Sequence, residues 1–150
     1  MALRSAAAAF ALGAEGGERL RFGEVEIVVK ASADTTDAAF TIIEENQPVD
    51  TRLHVHENED ELFYVLEGEH VFQVGDQEFH AGPGGLVFAP RGVPHAQRRV
   101  LPRTGRILVL ASPAGFEGFF RDLAEADRAG ALAPDTYVNA SKKYGITWLS

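Results

Sequence analysis

The segment LHVHENEDELFYVLEGE, residues 53–69, combines two histidines, a run of acids and an apolar stretch. Residues two apart on a β-strand point to the same side, so His54 and His56 are expected to project together. Glu61 follows five residues after His56, which is far enough for a turn to bring its carboxylate alongside. The pattern allows two interpretations: a metal site with ligands on successive strands, or a solvated acidic turn that happens to carry two histidines.

A second segment supplies a third imidazole from a distant part of the chain. In GGLVFAPRGVPH, residues 84–95, Pro90 and Gly92 predict a sharp turn after one strand. His95 is then expected where the next strand begins. This second element favours the metal site over the acidic turn.

The other polar residues of these segments are given structural interpretations. His70 and His80 lie outside both segments, and an exposed position or a satisfied position at a sheet edge is expected for each. Gln97 and Arg99 are expected on the same side of their strand as His95, with Arg99 in a salt bridge at the rim or, as the alternative, beside an anionic substrate. Three acids are expected to form a solvated turn near the metal: Glu57, Glu59 and Asp60.

Both segments resemble the paired sequence motifs of the cupin superfamily. The first motif runs G-x5-HxH-x3,4-E-x6-G and the second runs G-x5-PxG-x2-H-x3-N. The chain departs from them at the first glycine, which is Pro48, and at the last asparagine, which is Arg99. The span 19–112 is similar to a single-domain cupin of the small quercetin-dioxygenase-like kind. The resemblance implies an all-β fold, a cupin-type double-stranded β-helix (a jelly-roll β-sandwich barrel), with one or two C-terminal helices.

The resemblance also implies a ligand set and a chemistry. The family's metal ligands fall on His54, His56, Glu61 and His95. Such a donor set suits one divalent transition metal (Mn, Fe, Co, Ni, Cu or Zn) and selects weakly among these ions. On an octahedral ion, four protein ligands leave two positions for water, dioxygen or a substrate oxygen. In the resembling dioxygenases the glutamate accepts a substrate hydroxyl proton, so Glu61 is expected to be catalytic.

Several functions are compatible with this site. The first is a metal-dependent, dioxygenase-like oxidoreductase acting on a small oxygenated organic substrate, and the same fold also supports a decarboxylase or an isomerase. The second is a non-catalytic, metal-dependent small-molecule binder or sensor, and the third is a storage or structural protein. Resembling cupins are commonly dimers, and the exposed edges of a small sandwich are usually covered, so a homodimer is expected.

The elements that position the site are predicted from the hydrophobic pattern. Short strands between Gly- and Pro-rich turns extend from Arg19 to about Leu110, among them RFGEVEIVVKA, and predict a sandwich or barrel. The tail changes to a helical period, with one stripe formed by Phe116, Phe119, Phe120 and Leu123. A second, shorter helix is predicted in PDTYVNASKKYG, residues 134–145. The predicted layout is an N-terminal arm (1–18), a cupin β-barrel (19–112) and a C-terminal helical extension packed on the barrel (113–150).

Composition limits the classes of partner. The 14 basic and 22 acidic residues give a net charge of −8, which argues against a nucleic-acid or anionic-membrane surface. The absence of cysteine excludes disulfides, thiolate metal sites and cysteine nucleophiles. No apolar run reaches the length of a bilayer span. The Ala-rich start imitates a weak signal peptide, but a frayed or weakly helical arm and a cytoplasmic location are expected.

Overall fold

The computed structural model describes residues 7–100 and 105–149. Part of the predicted N-terminal arm, residues 1–6, lies outside the described residues, and residues 7–13 form no regular element. The helices are α1 (Ala33–Thr36), α2 (Glu117–Arg128) and α3 (Pro134–Tyr144). The strands are β1 (Glu18–Phe22), β2 (Val25–Ala31), β3 (Thr41–Asn46), β4 (His54–His56), β5 (Asp60–Glu67), β6 (His70–Val74), β7 (Gln77–Ala81), β8 (Leu86–Ala89), β9 (His95–Arg99), β10 (Arg106–Ser112) and β11 (Ile146–Trp148).

The strands form two antiparallel sheets, which confirms the predicted β-sandwich. The six-stranded sheet has the order β1-β2-β3-β10-β5-β8, and the five-stranded sheet has the order β11-β4-β9-β6-β7. Strands β4 and β9 are neighbours in the five-stranded sheet, whereas β5 belongs to the six-stranded sheet. A site built from these three strands therefore spans the space between the sheets.

The core lies between the inner faces of the two sheets. Burial alternates along β10, because successive side chains of a strand point to opposite faces. Ile43, Val65 and Ile107 are completely buried there, and Phe72 approaches them from the five-stranded sheet with 1% of its surface exposed. Burial of each such apolar side chain stabilises the folded state by about 1.5–3 kcal/mol. This packing holds the sheets in a fixed relation around the site.

The two predicted C-terminal helices are confirmed, and they pack beside the sandwich. Phe119 and Leu123 of α2 are buried in a second apolar cluster with Phe22 of β1 and Ile146 of β11. Helix α3 is terminated by the following residue, Gly145, whose φ of 70° is in the left-handed region that glycine adopts readily. Among the described residues, no helix is both long enough and apolar enough to cross a membrane.

Two local elements differ from the pattern-based expectation. RFGEVEIVVKA does not form one continuous strand, because Gly23 turns the chain with a φ of 54° and separates β1 from β2 as a hairpin. The strand β11 follows α3 directly and pairs with β4, although only helices were predicted in the tail. Its three residues are too short a run for a recognisable period, and its pairing partner is far away in the sequence.

Candidate metal centre

Three strands bring the four predicted ligands together. Strand β4 carries His54 and His56, β9 begins at His95, and β5 carries Glu61. His54 and His95 are direct neighbours across the β4–β9 pair, whereas Glu61 reaches them from the opposite sheet. One ligand atom of each side chain lies within 4.8 Å of those of the others. All four residues are buried, with at most 8% of their surface exposed.

The turn before His95 is tied to the strand that carries the first two histidines. The N–H of Val93 donates to the carbonyl oxygen of Pro90 at 3.2 Å, so the turn predicted from the sequence is formed. Gly92 has a φ of 78°, which favours glycine. Its N–H donates to the carbonyl oxygen of His56 at 2.9 Å. This contact fixes where β9 begins, and therefore where His95 enters the site.

Two of the histidines are oriented by backbone carbonyl oxygens. Nδ1 of His54 lies 2.7 Å from the carbonyl oxygen of Arg52, and Nδ1 of His95 lies 3.3 Å from that of Val93. Because a carbonyl oxygen can only accept, Nδ1 carries the proton in both rings. The lone pair then resides on Nε2, which is the tautomer that binds a metal through Nε2.

Glu59 orients the third histidine, and its predicted solvated position is wrong. Glu59 is only 3% exposed, and its Oε1 accepts a hydrogen bond from Nδ1 of His56 at 3.0 Å. The side chain turns inward because a buried ring nitrogen needs an acceptor. The other two acids of the turn stay at the surface: Glu57 is exposed, and the partly exposed Asp60 pairs with Arg91 at 3.2 Å.

The atoms that face each other in the cluster have the surroundings that a cation requires. Oε2 of Glu61 lies 2.6 Å from Nε2 of His95 and 3.1 Å from Nε2 of His56. Among the described residues, neither Oε2 of Glu61 nor Nε2 of His95 has a hydrogen-bond partner, although both are buried. Such an unsatisfied group costs about 1–3 kcal/mol. A divalent transition metal would relieve this cost, and the imidazole and carboxylate donors fit it.

Burial and the charges of the cluster set its pKa values. Burial, together with the neighbouring His95, lowers the pKa of His54 to about 4, so this ring is neutral near pH 7. Burial acts to raise the pKa of Glu61, but His56 and His95 outweigh it and lower the pKa to about 2. Burial acts to lower the pKa of His56, but the carboxylates of Glu61 and Glu59 outweigh it and raise that pKa. Neutral imidazole and ionised carboxylate are the forms that ligate metals.

The histidines outside the motifs do not join the cluster. His80 is exposed on the edge strand β7 and lies 3.1 Å from Glu78, as expected. His70 is only 2% exposed. The prediction of an exposed or edge position is therefore wrong for this residue, because β6 lies inside the five-stranded sheet. Its ring is nevertheless satisfied, since Nε2 donates to the carbonyl oxygen of Glu67 at 2.9 Å.

A cavity of about 700 Å³ adjoins the cluster. Both sheets and the C-terminal helices contribute to its walls, which are largely apolar. The indole of Trp148 lies 4.8 Å from the ring of His54, and the ring of Phe116 meets that of His56 edge-on at 5.4 Å. The volume is in the range that binds a small organic molecule.

The wall of the cavity near β9 contains polar residues as well. Gln97 lies on the His95 side of the strand and lines the cavity, as expected. The guanidinium of Arg99 lies 4.0 Å from Asp50, which is the rim ion pair that the sequence allowed. Sequence reasoning missed Glu45, which also lines the cavity. The only sign of Glu45 in the sequence is that it directly follows another acid, Glu44, in the same strand. Adjacent strand residues point to opposite faces, so only one of the two acids can face solvent.

Comparison with known sequences identifies a family and a curated relative. Residues 40–110 match the family model described as the cupin domain. The quercetin 2,3-dioxygenase of Bacillus subtilis (strain 168) is 32% identical over 111 residues, which make up 73% of this chain and 33% of that protein. The chain thus spans about a third of the length of this relative.

Solved structures show the same fold at low sequence identity. KdgF from Halomonas sp. has a TM-score of 0.62 and 17% identity, with 74% of this chain and 98% of that chain covered. Pac13 from Streptomyces, described as a nucleoside dehydratase, has a TM-score of 0.59 and 16% identity, with 74% of this chain and 88% of that chain covered. At these identities the likeness establishes the architecture, and the chemistry must be argued from the site.

Proposed function

The chain belongs to the cupin superfamily, and from this premise we propose that it is a metal-dependent, dioxygenase-like oxidoreductase acting on a small oxygenated organic substrate. One observation carries the proposal: the buried cluster of His54, His56, Glu61 and His95, in which unsatisfied acceptor atoms face each other. The likeness to quercetin 2,3-dioxygenase supports the dioxygenase class.

The four side chains would hold one divalent transition metal (Mn, Fe, Co, Ni, Cu or Zn). Such an ion supplies a Lewis acid for a substrate oxygen and makes the substrate more reactive toward dioxygen. The hydrogen bonds to Arg52, Val93 and Glu59 keep the three rings oriented toward a common centre. This pre-organisation removes the cost of arranging the ligands when the ion binds.

Other residues of the chain would bind and orient the substrate. The apolar walls exclude water and suit a flat molecule, since aromatic rings such as those of Phe116 and Trp148 pack well against another ring. Glu61, the only carboxylate of the cluster, is proposed to accept the proton of a substrate hydroxyl group as that oxygen approaches the centre.

The proposal is tested with metal-reconstituted protein in a sealed oxygen electrode, with quercetin and the β-diketone pentane-2,4-dione as substrates. Oxygen uptake that matches product formation is expected for the wild type, and Glu61→Gln should abolish it. His80→Ala, which changes an exposed histidine, is the matched control and should retain full activity. Turnover without oxygen uptake would contradict the dioxygenase and favour a decarboxylase or isomerase. Tight binding without any product would favour a binding or sensor protein.

We also propose that the protein is a homodimer, formed through the outer face of the six-stranded sheet. Leu86 and Phe88 on the edge strand β8 are 55% and 51% exposed. They lie in register with Tyr64 and Leu62 of β5, which extends the apolar surface inward from the edge. A second copy suits this surface, because a two-fold axis places the same apolar face of both copies against each other. Sedimentation equilibrium should show a dimer that Phe88→Glu dissociates, and a monomeric wild type would contradict it.

A further inference from the structure

Glu45 is a carboxyl group on a part of the barrel wall that is otherwise apolar. On β3 it lies between Ile27 of β2 and Ile107 of β10 in the strand register. Those two neighbours are 1% and 0% exposed, so this register position faces the interior. Glu45 also follows the buried Ile43 by two residues, which places both side chains on the same face. Glu45 is half-buried, and it is one of the residues that line the cavity.

Gln97 meets Glu45 from the opposite sheet. Its Nε2 donates to Oε2 of Glu45 at 2.8 Å and lies 3.4 Å from the carbonyl oxygen of Val49. Its backbone N–H donates to Oγ1 of Thr51 at 2.9 Å, and the residue is only 6% exposed. The pair is therefore held in place from both sides of the cavity. Among the described residues, the remaining side-chain oxygens, Oε1 of Glu45 and Oε1 of Gln97, make no hydrogen bond.

We propose that Glu45 and Gln97 form a second polar subsite of the cavity, which binds a hydroxyl group of the ligand. This subsite would hold one end of the ligand and so deepens the proposed function. Only the other end, an oxygen at the His54–His56–Glu61–His95 cluster, rests on that proposed function. The ligand class that follows is a flat, mostly apolar molecule that carries one oxygen function at the cluster and a hydroxyl group at Glu45.

The chemistry of the subsite selects a hydroxyl group over a charged group. Burial raises the pKa of Glu45 to about 7, with the hydrogen bond from Gln97 opposing the rise and the charge of Glu61 adding to it. A hydroxyl group bonds to either protonation state, because it can donate to a carboxylate and accept from a carboxylic acid. A ligand carboxylate would instead face the oxygens of Glu45, Gln97 and Glu61, which disfavour a negative charge.

The subsite is tested on the metal-free protein with phenol and toluene, two fragments of similar shape that differ in a hydroxyl group. NMR titration gives both affinities and follows the side-chain amide of Gln97. Glu45→Leu is expected to lower the ratio of phenol affinity to toluene affinity by roughly fivefold, because one hydrogen bond is lost. Glu44→Leu is the matched control: Glu44 alternates to the outer face, where it pairs with Arg106 at 3.4 Å, so the ratio should not change.

An unchanged ratio in Glu45→Leu would overturn the subsite, since phenol would then bind elsewhere. Absence of phenol binding to the wild type would overturn it as well. If Glu45→Leu does not fold, Gln97→Leu is measured instead, and removal of the amide that holds Glu45 should lower the same ratio. The fragments need neither metal nor dioxygen. A failed oxygen-uptake assay and a failed fragment titration therefore identify different errors.

Discussion

Glu117 and Glu61 are both almost fully buried carboxylates, but their surroundings are opposite. Glu117, 1% exposed, lies at the start of α2. It accepts hydrogen bonds from the backbone N–H groups of Ala33 at 2.7 Å and Gly115 at 2.8 Å, and from the hydroxyl of Thr41. Glu61, 4% exposed, directs its Oε2 at imidazole nitrogens and has no hydrogen-bond partner there among the described residues.

The difference separates a structural carboxylate from a candidate ligand. For both residues burial acts to raise the pKa, and for both the neighbours reverse this and lower it. At Glu117 the opposing groups are mainly fixed N–H and O–H donors, which already satisfy the charge. At Glu61 the opposing groups are histidines, two of which have their protons on the outer nitrogens through contacts with carbonyl oxygens. A low pKa alone therefore does not identify a functional acid, whereas its partners do.

The largest expected effect is on metal affinity at Glu61. Glu61→Gln removes the negative ligand and should lower the affinity for Zn²⁺ or Ni²⁺ by more than about a hundredfold in a competition titration with a chelator. The same change should alter the free energy of unfolding of the metal-free protein by less than about 1 kcal/mol, because the new amide can donate to His95. His80→Ala is the control. A tenfold loss or less would contradict the assignment of Glu61 as a ligand.

Glu117 should give the reverse result. Glu117→Ala leaves the N–H groups of Ala33 and Gly115 without an acceptor and should lower the free energy of unfolding by about 2–4 kcal/mol. Urea denaturation measures this loss. Metal affinity, measured under conditions where the variant is folded, should stay within about twofold of the wild type. A large loss of metal affinity in the folded variant would contradict the conclusion that Glu117 is a structural carboxylate and Glu61 a metal ligand.

Glu59 tests whether the shell around the ligands matters. Glu59→Ala removes the acceptor that orients His56 and should lower metal affinity about 10- to 100-fold. Glu57→Ala, an exposed acid of the same turn, is the matched control and should change it little. Isothermal titration calorimetry of both variants decides the matter. Equal losses in the two would mean that the negative field of the turn, rather than one hydrogen bond, supports the site.

The smallest expected effect concerns the pH dependence of stability at Glu45. Its pKa is about 7 in the folded chain, against an ordinary value of 4.5, so between these pH values the folded state binds more protons than the unfolded state. This contribution to stability is complete below about pH 4.5 and is lost as the pH rises through about 7. Urea denaturation across this range should show Glu45→Gln losing less stability than the wild type, by about 1–2 kcal/mol. Parallel curves would contradict the raised pKa.

The grouping of the four clustered side chains could be predicted from the sequence, because the motifs that carry it are local. His54, His56 and Glu61 lie within eight residues of each other, and the turn before His95 has its own Pro and Gly signals. Glu59 could not be separated from its acidic neighbours, because which acid turns inward depends on the buried ring that needs an acceptor. Trp148 reaches the site through the pairing of β11 with β4, a contact across more than half of the chain. The domain boundaries, the cytoplasmic location and the absence of nucleic-acid and membrane partners stay predictions.

We propose that one cation joins the two sheets at this cluster. Anomalous diffraction at the absorption edge of the bound metal, on crystals of the metal-loaded protein, tests it most directly. One strong peak is expected, coordinated by Nε2 of His54, His56 and His95 and by a carboxylate oxygen of Glu61, with at least one further position open toward the cavity. A peak elsewhere, or one that lacks these imidazole ligands, would contradict it.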